Sequence, residues 1–137
     1  MSPLAALPRD LRIVALLFLL GGINSVLTMI VGAMTNHISL DFGVLGILAY
    51  FGLLRLSWGW RVYALVAIWF EIVFFPVVGI VVLTTNHCTF NLFTVPVAQI
   101  PAPVGVMFFL FFFLLALWQL KVLTRHEVWA LFQRDRA

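Results

Sequence analysis

The chain predicts an all-α membrane protein of four transmembrane helices, closed by a short amphipathic helix at the membrane surface. Three observations carry this. Hydrophobic residues fill 64% of the 137 positions and charged residues only 9%, more apolar surface than a water-soluble fold can hide. The Leu, Val, Ile and Phe fall in four long blocks, each approaching the roughly 20 residues that a helix needs to cross a bilayer. All eight Lys and Arg lie on one side of the resulting threading. The whole chain, 1–137, reads as a single membrane domain.

The first span covers about 11–34, after Arg9 and Arg12. Its apolar stretch is too long for the core of a secretory signal, so it reads as an uncleaved helix. "TNHISLD", 35–41, is a short outer turn. The second span, about 42–57, is the shortest: Asp41 and Arg55 bracket 13 residues, about 20 Å of helix. It must snorkel Arg55, start earlier or sit where the bilayer thins. "LRLSWGWR" is a tight turn carrying Gly59 and leads into the third span, about 62–84. The outer connection "TNHCTFNLFTVPVAQIPAP" has no charge, and Pro96, Pro101 and Pro103 argue against a continuous helix there, which predicts an ordered lid over the helix ends. The fourth span, about 104–123, holds the run "FFLFFFLL", a lipid-facing or helix-packing surface.

The last element, about 124–134, is predicted as an amphipathic helix. Thr124 and Glu127 have the spacing of a capping box. Val128, Leu131 and Phe132 share one face, with Trp129 beside it and Arg125, Arg134 and Arg136 around it. It either lies on the inner leaflet or docks a cytoplasmic partner.

Charge sets the orientation. Arg9, Arg12, Arg55, Arg61, Lys121, Arg125, Arg134 and Arg136 share one side, whereas 35–41 and 85–103 contain no Lys or Arg, which places both termini in the cytoplasm. Trp58, Trp60, Tyr63, Trp118 and Trp129 fall at the same level, where amphipathic rings favour the interface. The basic pI of about 9.8 is explained by this topology and by anionic lipid head groups, so no nucleic-acid partner is expected. Cys88 is the only cysteine, which excludes an internal disulfide.

"LRIVALLFLLGGI" (11–23) aligns with "WRVYALVAIWFEI" (60–72), and "GVLGILAYFGLL" from Gly43 aligns loosely with "GVMFFLFFFLLA" from Gly105. Taken as a duplication, these describe two tandem hairpins of the same orientation, a parallel repeat. The ending "WQLKVLTRHEVWALF", Trp118 to Phe132, resembles that of small bacterial four-span inner-membrane proteins with no assigned activity, which close on a similar Leu-Thr-Arg-x-x-Val-x-x-Leu-Phe pattern. The resemblance implies a bacterial cytoplasmic membrane and brings no catalytic or ligand residue with it.

The chemistry centres on Glu71, ten residues in from Arg61 and so about 15 Å deep. A charge at that depth costs about 3 kcal/mol on insertion scales, so the carboxyl should face protein or water and have a partner. Asn24, with Ser25 and Thr28 nearby, is the best match in depth; Tyr50 can approach from the second span, and Arg55 can reach upward to form a salt bridge. Either Glu71 is a neutral hydrogen-bond donor holding the bundle together, or it binds a proton or a cation in a water-filled pocket. His37, Asp41, His87 and Cys88 lie at outer helix ends and would make a metal site if the loops met, but only His37 and Asp41 have helical spacing; interfacial capping is the plainer reading, and no cofactor is expected. Hydrolase and phosphate-binding motifs are absent. The expected role is therefore a non-enzymatic accessory or scaffold subunit, associating with itself or a larger membrane complex. The alternative is a small oligomeric proton- or cation-coupled transporter or channel using Glu71. Shielding of Glu71 by Asn24 and Tyr50 favours the first, and a cavity reaching Glu71 favours the second.

Overall fold

The structure, a computed structural model, describes residues 7–34, 42–85, 88–92 and 95–134. In chain order it contains α1 (Arg9–Met34), a 3-10 turn (Phe42–Val44), α2 (Leu45–Leu54), α3 (Trp58–Thr85), strands β1 (Cys88–Leu92) and β2 (Val95–Ile100), α4 (Ala102–Thr124) and α5 (His126–Arg134). The helical body agrees with the predicted class. Three helices, α1, α3 and α4, are long and apolar enough to cross a membrane; α2, with ten residues, is not. Within the most apolar stretch of each long helix only 17–22% is buried inside the protein, so most of that surface faces outward, as lipid exposure requires.

α1 and α2 touch backbone to backbone. A side-chain carbon added at Gly22 would lie 2.6 Å from the Ile47 amide nitrogen, and one at Gly46 would lie 2.5 Å from the Phe18 carbonyl oxygen. Small residues permit this approach, which replaces the hydrophobic drive missing between helices in lipid. α2 ends in a Schellman turn: Leu56 N–H donates to the Leu53 carbonyl (3.1 Å) and Ser57 N–H to the Gly52 carbonyl (3.0 Å). The left-handed position is Leu56, φ 56°, rather than a glycine; Gly59 falls inside the first turn of α3. Leu56 accepts that conformation because its side chain packs against the core.

α3 and α4 pack along a seam of alternating three- and four-residue spacing. On α4 the series is Ala102, Gly105, Phe109, Phe112, Ala116, Gln119 and Leu123; on α3, Arg61, Ala64, Ile68, Gly79 and Val82 are buried. Phe75 meets Phe109 and Phe112 at ring distances of 6.4 and 5.7 Å, while Phe108 and Phe111 face outward, so the Phe-rich run serves both packing and lipid. α3 stays helical through Pro76. α4 starts two residues earlier than predicted, because Pro101 is extended and Pro103 lies in the first turn, where its missing N–H costs nothing.

The outer connection contains an antiparallel hairpin, Cys88 opposite Ile100 and Leu92 opposite Val95. The prolines do break the helix there, but strand pairing was not anticipated. Asn91 pairs with Pro96 just after a register shift, where a missing N–H is tolerated.

α5 differs from expectation in two ways. Thr124 is the last residue of α4, and its hydroxyl donates to the Leu120 carbonyl (2.7 Å), so no capping box forms; Arg125 precedes α5 and its carbonyl accepts from the Trp129 N–H (2.8 Å). A hydroxyl that reaches a carbonyl of its own helix has no need of the next one. Val128 and Phe132 are buried against the bundle instead of lying on lipid or awaiting a partner, Leu131 is half-buried, and Trp129 stays exposed. The core gathers at this end: Leu11, Val14 and Ala15 of α1, Leu53 of α2, Ala64 and Ile68 of α3, Val122 and Leu123 of α4, with Val128 and Phe132. The beginnings of α1 and α3 therefore meet the ends of α2 and α4.

Candidate functional site

Beyond the packed end the α1/α2 pair and the α3/α4 pair leave a cleft of about 540 Å³. α3 supplies one wall through Tyr63, Ala67, Glu71, Phe74 and Phe75, positions three or four residues apart that share a helix face. α1 supplies Leu17, Phe18, Asn24 and Ser25 opposite, and the close Gly22–Gly46 crossing forms part of the lining. α4 contributes only Gln119. Gly21, Asn24 and Phe74 are exposed, which puts the mouth on their side.

Glu71 is half-buried and lines this cleft; among the described residues it has no hydrogen bond or ion pair. Ser25 (5% exposed) and Gln119 (7%) are nine-tenths buried, and they too line the cleft without a hydrogen-bond partner among the described residues. The sealed side-chain nitrogen without a partner among the described residues is Arg12 Nε; the polar atoms of Glu71, Ser25 and Gln119 stay accessible from the cleft, which therefore offers three unpaired polar groups to whatever enters it.

The predicted intramembrane cluster is thus assembled in part. Asn24 and Ser25 share the cleft with Glu71. Thr28 does not line it, and its hydroxyl donates to the Asn24 carbonyl (2.9 Å), a bond within α1. Tyr50 packs against the core with its ring 5.1 Å from Phe51, away from the cleft. Arg55 is exposed beyond the end of α2 and makes no ion pair with Glu71; the short helix ends too near the packed end for its side chain to reach that depth. Tyr63, expected at the membrane interface, lines the cleft as well, and so does Gln119. The polar residue on the α4 seam was the signal for Gln119, since seam positions face protein.

Two contacts fasten the packed end. Arg61, nine-tenths buried, donates through Nε (3.2 Å) and Nη2 (2.8 Å) to the Leu123 carbonyl, and its guanidinium lies 5.7 Å from the centre of the Phe132 ring. It thereby satisfies one of the free carbonyls of the α4 C-terminus, where a cation is favoured. Read from sequence as a topology signal, Arg61 also clamps α3, α4 and α5 together. At the surface, Arg125 pairs with Asp10 at 2.9 Å.

His37, Asp41 and His87 lie outside the described residues, and Cys88 enters only as the first residue of β1. Among the described residues no three His, Cys, Asp or Glu come together around a metal. A second cavity, about 340 Å³, lies between α3 and α4 on the other side of Phe75 and has an apolar lining that includes Pro76, Gly79 and Phe113. Comparison with protein-family models, curated proteins and solved structures finds no match to this chain.

Proposed function

We propose that the chain is a four-span protein of the bacterial inner membrane, with both termini cytoplasmic, that binds a proton or a cationic solute at Glu71 and moves it as an oligomer. The observation that carries this is the cleft reaching Glu71 between the helix pairs, with Ser25 and Gln119 unpartnered on its walls and Tyr50 absent from them. A carboxyl serving only to hold helices together would have a partner on a neighbouring helix. No enzymatic step belongs to this reading.

The topology is supported by the shared core of the α1 and α3 beginnings with the α2 and α4 ends, which returns the chain to the basic side after each pair. α2 and its 3-10 turn together extend about 20 Å, a crossing that a locally thinned bilayer accommodates. Oligomerisation is part of the proposal because the cleft is open at Gly21 and Asn24, and a second copy would complete a pathway there. Anionic head groups would meet the exposed Arg55 and Arg125.

Reconstitution into liposomes under an imposed proton or cation gradient tests the reading. Wild-type chain should carry flux, and Glu71→Gln should lose it while keeping wild-type helicity and melting. A wild type without flux, together with a Glu71→Gln chain that no longer folds, would instead make Glu71 a packing residue of a scaffold subunit.

A further inference from the structure

We infer that the cleft is built for a slim organic ammonium ion, its cationic group at Glu71 and its apolar body along the aromatic wall, in preference to a bare metal ion. This rests on the Glu71 reading above and gives it a substrate class. Tyr63 and Phe75 are twelve residues apart on α3, so the α3 wall runs about 18 Å along a cleft of about 540 Å³. That is room for a methylene chain or a single ring laid lengthwise, and far more than one metal ion fills.

The donor set points the same way. Hard divalent cations gather about six or more oxygen ligands, usually several carboxylates, and among the described residues that line the cleft Glu71 is the single carboxylate. An ammonium group needs a carboxylate, which Glu71 supplies, and the Ser25 hydroxyl and the Gln119 amide oxygen add neutral acceptors along the same cleft. Phe18, Phe74 and Phe75 add ring surfaces of the kind that attract an organic cation and cover its apolar part. A neutral amphiphile would leave an ionised Glu71 uncompensated at membrane depth, so the carboxylate supplies the selectivity for positive charge.

Equilibrium dialysis of hexylammonium against the full chain in nanodiscs, with binding to empty nanodiscs subtracted, tests this. Saturable binding is expected, about tenfold or more tighter than that of hexanol and undiminished by an equal concentration of Na⁺. Glu71→Gln should weaken it about tenfold, and Ser25→Ala with Gln119→Ala about threefold or more. If Glu71→Gln fails to fold, Glu71→Asp serves instead and should retain the preference for hexylammonium over hexanol. Equal binding of hexanol, or binding indifferent to loss of the carboxylate, overturns the inference. Flux carried by Na⁺ or protons without hexylammonium binding overturns the ammonium class and leaves the Glu71 site standing; absence of both overturns both.

Discussion

Gly21 and Gly22 are neighbours in sequence with opposite surroundings, and alanine at each in turn tests the seam that forms part of the cleft. A carbon added at Gly21 meets nothing within 4 Å. At Gly22 it would stand 2.6 Å from the Ile47 nitrogen and 2.7 Å from Ile47 Cγ1, short of the 3.4 Å at which ordinary contact begins by 0.8 and 0.7 Å. The nearest of these atoms is backbone and cannot rotate away, so α1 and α2 must separate by most of an ångström. Overpacking of that kind costs about 1–3 kcal/mol, whereas Gly21→Ala should be neutral or gain up to about 1 kcal/mol of helix propensity. The two variants should therefore differ by about 1–4 kcal/mol in reversible unfolding by SDS titration in mixed micelles, followed by circular dichroism. Gly46→Ala, whose added carbon would meet the Phe18 carbonyl at 2.5 Å, should behave like Gly22→Ala, and the double variant should cost less than the sum because one separation relieves both. Coincident unfolding curves for Gly21→Ala and Gly22→Ala would refute the close crossing of α1 and α2.

Three further outcomes concern the packed end. Arg61→Ala should cost about 2–3 kcal/mol by leaving the Leu123 carbonyl without its charged donor, and Arg61→Lys should recover half at most, since lysine lacks the planar fork that makes both bonds; equal melting of Lys and Arg chains would disprove the clamp. Phe132→Ala should cost about 3–5 kcal/mol and accelerate trypsin cleavage after Arg125, and an unchanged cleavage rate would mean that α5 does not dock. Asp10→Ala should cost under about 1 kcal/mol in low salt and nothing measurable in high salt, because both partners of its ion pair with Arg125 are over a third exposed; a large loss that salt leaves unchanged would contradict this.

The three long helices were legible from apolar continuity, since a bilayer demands length and uniform hydrophobicity rather than a fine pattern. Their helical identity follows from the need of every backbone group in lipid for an internal partner. Glu71 was equally visible, because a lone acid in such a run is costly wherever the helices lie. Its neighbours were not. Depth counting put Asn24, Tyr50 and Arg55 within reach, but depth says nothing about rotation about the helix axis, and the packing turned Tyr50 into the core and brought Gln119 to the cleft.

Local chemistry also misled at the start of α5 and the end of α2. Thr124 and Glu127 have the spacing of a cap, yet α4 runs far enough that Thr124 bonds backward. Gly59 suggested the turn, while the left-handed residue is Leu56, held there by core contacts that no local pattern displays. Arg61 shows the same division in one side chain. Its charge marks the basic side of the membrane from sequence alone, but its two bonds to Leu123, 62 residues away, exist only because α3 and α4 are brought side by side. Composition thus determines that the chain carries helices long and apolar enough to enter a membrane, and charge predicts a side for it, as sums over many residues that need no geometry. Which polar groups meet, and whether they find partners, depends on helix rotation and crossing, set by a few close contacts such as Gly22 with Gly46, and only the folded arrangement decides that.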